Sequence, residues 1–397
     1  MKRLHSLSYK TLFTILFLAL AGIVFFLKIG GKTTKVSAAW WDDSWHYRKA
    51  ISITNSSGSN LTDFQVAVSI GTSQLIADGK MQTDCDDIRL TDINGNLLPY
   101  WIEENNPGCN QLTDTKIWLK ASSLPTSGAT VYIYYGNSQA VNNENGNNVF
   151  LEFDDFKNSS NINNWTLESN PTTTYSISGG TMSAIASSGD YSSAVFGSNY
   201  TDVIVNSRFS VNATQSHGGF IFRGQTNAAD NSYQWMLRRI ASDNRIQKRL
   251  SGGQTYLLGG SAGIALPSTL TAGNWYPVEF RVSGTTIDTY FNNLQAINGD
   301  FADTGFSSGK VGILSYDGNE FFDYIFVRKY ASTLPIPSVQ SEETSGGPIA
   351  YWKFDEGIGS TAYDSAGNNN GSISGATYIS EDQCVSGKCL NFNGSGS

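Results

Sequence analysis

Charge is scarce in this chain. Asp, Glu, Lys and Arg make up 15% of its 397 residues, where an average domain has about a quarter. That composition does not suit helices rich in Glu and Lys, and no convincing amphipathic helix follows residue 40. Histidine is scarcer still. Only His5, His46 and His217 occur, none near a cysteine pair, so zinc is the weaker reading of the cysteines. What is present instead is glycine, at 40 residues, with 12% aromatics and recurrent Ser, Thr and Asn. Short strands joined by many turns fit that mixture. The expected class is all-β, as tandem β-sandwich or jelly-roll domains, two or three in a chain too long for one core.

The N-terminus carries Lys2, Arg3 and Lys10 ahead of an unbroken apolar run over 11–27, which reads as an export signal. Val36-Ser37-Ala38 predicts cleavage near residue 38 or 39. Lys28, Lys32 and Lys35 between run and site keep an uncleaved membrane anchor over 11–27 as the alternative. The body is then expected outside the cytoplasm, at the cell surface or secreted. Removing residues 1–38 takes away six basic and no acidic residues, leaving 20 Lys and Arg against 34 Asp and Glu, a net charge of −14. Such a body repels phosphate backbones, so nucleic acid is not an expected partner. Membrane contact is expected only through the N-terminal segment. In an oxidising compartment Cys85 is expected to pair with Cys109, and Cys384 with Cys389. The longer loop would gain about 3 kcal/mol from its bridge.

Residues 40–138 read as one small β domain. Residues 64–70 alternate apolar with polar at period two, and Asn94-Gly95 marks a hairpin. Five ordered motifs stand in it: Trp45-His46-Tyr47-Arg48-Lys49, the run 85–92 from Cys85-Asp86-Asp87, Leu98-Pro99-Tyr100-Trp101-Ile102-Glu103, Lys116-Ile117-Trp118-Leu119-Lys120, and Tyr132-Ile133-Tyr134-Tyr135-Gly136-Asn137. Together they resemble a bacterial extracellular family known as domain of unknown function 2341. The resemblance implies location and architecture but no reaction.

A polar linker is expected over 139–148 and a second sandwich over 149–331. Residues 274–280, 308–313 and 322–327 resemble concanavalin A-like domains. After a second expected linker, 332–347, the stretches 350–359, 364–368 and 387–394 resemble the first part of a laminin-G-like jelly roll. Residues 348–397 are thus expected to be the start of such a domain in a fragment of a longer protein.

Residues 151–156, Leu-Glu-Phe-Asp-Asp-Phe, partly resemble the Glu-x-Asp-x-Glu signature of laminarinase-type glycoside hydrolases. Glu152 and Asp154 fit the same-face alternation of nucleophile and acid, but Phe156 stands where the third carboxylate belongs. The stretch is read as the first strand of a module, beside 322–327 in the same sheet. Phe153 and either Leu151 or Phe156 are expected to face the core, with the carboxylates at the edge. Gly259-Gly260-Ser261-Ala262-Gly263 matches a nucleophile elbow, but Pro267 interrupts any following helix and no histidine comes after His217, so it is read as a turn. The acidic run 85–96 has Leu90 and Trp101 where an EF-hand needs carboxylates. Calcium is a cofactor that concanavalin-like domains often hold, and no spacing here identifies a site for it.

Aromatics and neighbouring polar groups are the recognition candidates, because sugar rings stack on aromatic faces while polar groups take hydroxyls. Alternation sends Tyr233, Trp235 and Leu237 to the core and Gln234, Met236 and Arg238 to the opposite face. Arg223, Gln234, Arg238 and Lys248 are the expected ligand-binding residues on a concave polar surface. Trp40, Trp41 and Trp45 are expected to anchor the first strand. The reading is a non-catalytic exported surface protein that binds carbohydrate or another extracellular partner, such as a surface protein. A secreted glycoside hydrolase using Glu152 and Asp154, or a structural adhesion stalk, are its alternatives.

Overall fold

The computed structural model describes residues 40–397 except 106–107, 112, 169–172, 187–188, 190, 213–216, 346–350, 366–369, 386, 393 and 395–397. The signal or anchor expected over 1–39 lies outside the described residues. Among the described residues no helix is long and apolar enough to cross a membrane. The architecture is all-β.

The first sandwich packs a five-stranded sheet on a three-stranded one. The larger runs Ile336–Thr344, Tyr47–Thr54, Ala129–Tyr135, Arg89–Asp92, Leu97–Leu98, and the smaller Leu61–Ile70, Thr115–Leu124, Tyr100–Ile102. Ile51, Ile53, Val66, Val68, Ile117, Leu119, Val131 and Ile133 meet between them. Alternation along Leu61–Ile70 thus works as expected on the core side. Gln65 on the other side is also buried, because its amide donates to Val149 O at 2.9 Å and accepts from Lys329 N at 3.0 Å. The Asn94-Gly95 turn forms, with Gly95 at φ +85° and the Asp92 carboxylate accepting from Asn94 N and Asn96 N. Trp40, Trp41 and Trp45 pack around Tyr134 and one another beside the first strand.

Strand Ile336–Thr344 corrects the sequence reading of 332–347 as a linker. It pairs antiparallel with Tyr47–Thr54 as the edge of the first sheet. The chain therefore leaves the first sandwich, builds the second, and returns. Residues 139–148 are not a free tether either. Arg89 Nη2 donates to Val141 O at 2.7 Å, Glu144 accepts from Ile102 N at 2.9 Å, and Asn145 N donates to Tyr100 O.

The second sandwich is organised by one 21-residue strand, Gly309–Lys329. Its first half pairs with Ser192–Tyr200 and His217–Gly224, and its second half with Thr181–Ala186, Val203–Val211 and Glu152–Asp154. The switch between sheets falls at Gly318, whose φ of +125° favours glycine. Ser232–Arg238 and Asp243–Leu250 extend the first of these sheets, and Trp275–Ser283, Thr286–Phe291 and Leu294–Asp300 the second. Phe156, Phe209, Phe220, Trp235, Phe280, Ile313 and Phe322 fill the space between. Each such large side chain stabilises by about 2–3 kcal/mol on burial.

The two sandwiches share an aromatic seam. Trp101 and Trp118 of the first meet Phe150, Phe153, Tyr324 and Phe326 of the second, with Phe150 stacked on Phe326 at 4.0 Å. Beyond residue 350 the described residues form two short hairpins, Thr361–Ala362 with Gly371–Ser372 and Thr377–Ile379 with Cys389–Asn391. Both disulfides, Cys85–Cys109 and Cys384–Cys389, are formed.

Candidate functional site

Strand register decides which side chains of the second sandwich can meet a ligand. Trp235 lies opposite Phe220 and Ile246 and points into the core, where its Nε1 donates to Asn244 Oδ1 at 2.9 Å. Gln234 lies opposite Ile221 and Gln247, and Met236 opposite Gly219 and Arg245, on the outer face. Val195, Ile221, Met236 and Leu314 form an apolar floor there, with Tyr191 and Tyr316 packed against it.

Over that floor the polar groups and rings interlock. Tyr191 and Tyr316 lie 4.5 Å apart, His217 stacks on Tyr316 at 5.9 Å, and the Arg249 guanidinium sits 3.8 Å from the Tyr191 ring. Arg245 covers Tyr256 at 4.7 Å. Gln247 donates to Gln234 Oε1 at 2.8 Å and to the Tyr191 hydroxyl, which also accepts from Gln254. Four polar groups of this face find no hydrogen-bond partner among the described residues: the His217 imidazole, the Tyr256 and Tyr316 hydroxyls, and Arg245 Nη2. Tyr256 is 41% exposed. Burial holds the His217 imidazole below its usual range, against Asp317 and with Arg238 and Arg245.

The four residues expected to line a polar surface are not brought together as one. Arg223 is buried at φ +50° and donates to Thr201 O, Gly284 O and Phe306 O, so it staples loops. Gln234 is on the outer face but fully buried, its amide held by Ala229 O and Gln247. Arg238 grips Asp243 with two bonds of 2.6 Å and reaches the carbonyls of Ser261 and Ala262. Lys248 points to the other side of its strand and pairs with Asp303 at 3.0 Å. The groups without partners among the described residues stand elsewhere on the face, Arg245 on Asp243–Leu250, Tyr256 on Gly253–Leu258, Tyr316 on Gly309–Lys329, and His217. Arg245, Gln247 and Arg249 alternate at period two, a signal present in the sequence but silent about which of them would lack a partner.

Glu152 and Asp154 are each engaged in holding structure. Glu152 accepts from Ser198 N at 2.8 Å and Tyr200 Oη at 2.6 Å. Asp154 accepts from Phe156 N, Asn161 Nδ2 and Trp165 Nε1, all within 3.0 Å, and is buried rather than at an edge. The strand pairs with Val327, Phe326 and Ile325 as expected. Phe156 enters the core, while Phe153 turns to the seam between sandwiches instead. The Gly259 to Gly263 segment turns into strand Ile264–Ala265 with no helix after it.

A cleft of about 330 Å³ lies between the two sandwiches, but its charges are spoken for. Burial opposes ionisation of Glu279, yet Arg328 and Arg281 hold its carboxyl at about 2. Glu103 accepts from Trp118 Nε1 at 2.7 Å and Tyr324 Oη at 2.6 Å. Among the described residues no three His, Cys, Asp or Glu side chains are grouped to hold a metal ion.

The chain is thus an all-β protein in which a small sandwich and a larger jelly-roll-like sandwich are packed together. Residues 84–168 match the model of a family described as domain of unknown function, DUF2341. That match runs from the first disulfide across the seam into the second sandwich. No curated protein matches the chain. Among solved structures, it is similar to a carbohydrate binding module, CBM66, from Bacillus subtilis, at 16% identity over 42% of this chain and 96% of that one, with a TM-score of 0.36. It is also similar to a Bacillus subtilis protein of unknown function with galectin-like fold, at 13% identity over 46% and 97%, TM-score 0.37. A third is a Bacteroides ovatus mixed-linkage glucan GH16 protein, at 12% over 45% and 99%, TM-score 0.34. Likeness at that level says nothing about what this chain binds.

Proposed function

We propose that this is an exported, non-catalytic protein that binds carbohydrate on the outer face built by His217, Tyr316, Tyr256 and Arg245. The observation that carries the reading is the set of four polar groups without a hydrogen-bond partner among the described residues, beside exposed aromatic surface. A sugar needs that combination, ring faces against which to pack and donors for its hydroxyls. The export signal read over 11–27 and the two disulfides support an extracellular place for it. Glu152 and Asp154 have no part in the reading, because both are occupied by structural donors. A glycan microarray probed with the whole chain tests it. Binding to at least one glycan class is expected, reduced about tenfold or more by Tyr256→Ala. No binding to any glycan, with or without calcium, removes the proposal.

A further inference from the structure

Arg245 is a nearly buried guanidinium, 8% exposed, with only neutral partners. Its Nε donates to Gln247 Oε1 at 3.0 Å, and its Nη1 reaches Ser261 O only at a long 3.4 Å. No carboxylate among the described residues pairs with it, although its neighbours are matched. Asp243 is taken by Arg238 and Asp230 by Arg249, at 2.6 and 2.7 Å. A guanidinium taken out of water without a counter-charge is costly unless an anion comes to it. The Tyr256 ring lies 4.7 Å from the guanidinium, and Nη2, with the Nη1 hydrogen that Ser261 O does not take, is the edge that fits a carboxylate. His217 and the Tyr316 hydroxyl supply further unpartnered donors on the same face.

We propose that Arg245 receives the carboxylate of an acidic sugar, so that the glycan taken by this face is a uronic-acid polysaccharide rather than a neutral one. This rests on the carbohydrate reading of the face. The chain's overall negative charge makes the preference local, since an acidic chain repels polyanions everywhere except where a cation is held ready.

The test uses the whole chain and oligomers of galacturonate, glucuronate and mannuronate, each beside its reduced counterpart in which every carboxyl has become a hydroxymethyl. Calorimetric titration is expected to show at least one acid bound about tenfold or more tighter than its reduced form. Arg245→Gln is expected to erase that difference, so that each acid binds no tighter than its reduced counterpart, and Arg245→Lys to restore part of it. Equal affinity for every acid and its reduced form overturns the acidic assignment and leaves the carbohydrate reading standing. Binding of none of them, nor of any neutral sugar, overturns both. Tighter binding to sulfated dextran than to every uronate overturns the carboxylate assignment. If the Arg245 variants do not fold, salt decides, because acid-sugar binding by the wild type that does not weaken between about 50 and 500 mM NaCl contradicts the proposal.

Discussion

At the scale of single residues, burial sets the chemistry. Glu320 lies wholly inside the second sandwich, bonded to the Ser315 hydroxyl at 2.5 Å, with Oε1 unpartnered. Burial raises its carboxyl to about 8, and Asp317 adds to the shift while the Ser315 bond opposes it. The folded protein therefore keeps a proton that the unfolded chain gives up near pH 4.3. Stability from this group is present below the unfolded value and is lost as pH rises toward 8. Glu320→Gln is expected to flatten that loss, leaving the variant more stable than wild type at pH 8 by on the order of 3 kcal/mol and similar to it at pH 4. Urea unfolding of both proteins at the two pH values measures it, and a variant less stable at pH 8 contradicts the account. His217 works in the opposite sense. Burial holds its imidazole below the usual range, with Arg238, Arg245, Asp243 and Asp317 around it, so it gains its charge on acidification and affinity for an acidic glycan is expected to rise as pH falls. Titrations at pH 5 and pH 7 compare the two states, and a His217→Gln variant should lose the difference.

At the scale of elements, the returning strand Ile336–Thr344 completes the first sandwich. Glu343 pairs with the Arg48 guanidinium, which is almost fully buried among Trp40, Tyr132 and Tyr134, and Glu342 meets Lys80 and Tyr135. Glu343→Ala removes this ion pair and is expected to cost about 1–2 kcal/mol, lowering the thermal midpoint by a few degrees. An unchanged melting curve would mean the strand rests on the surface without contributing.

This strand also shows what one sequence conceals. Pro335 and Pro337 read as linker punctuation, yet Pro337 sits opposite Ile53 on an edge, where proline is tolerated. Its outward side chains leave no periodic apolar signal, as Ile336 at 63% exposure illustrates. By contrast, Tyr233, Trp235 and Leu237 announced their core face because alternation on an interior strand is a local signal. The pairing of Glu152–Asp154 with the closing strand was expected from the position of the stretch at the start of a module, after a polar segment. The site was only partly so. Outer-face membership of Gln234 and Arg238 followed from period two, but which groups of Arg245 and His217 find a partner among the described residues depends on cross-strand neighbours.

At the scale of the molecule, the aromatic seam, the docked segment 139–148 and the returning strand tie the two sandwiches into one unit. Cooperative unfolding of both is the expected consequence. Phe150→Ala, which empties the space between Trp101, Trp118 and Phe326, is expected to cost about 3–5 kcal/mol and to split the calorimetric transition in two. Two independent transitions already in the wild type would contradict the coupling.

Glycan binding by the face around Arg245 and Tyr256 is the proposal on which the others depend. Its most direct measurement is a titration of the intact chain with a uronic-acid oligomer, run beside Tyr256→Ala and Glu152→Gln. Saturable binding by wild type and Glu152→Gln, weakened about tenfold in Tyr256→Ala with no change in the oligomer itself, is the predicted result. Equal binding by all three proteins, or cleavage of the oligomer that stops in Glu152→Gln, would contradict it.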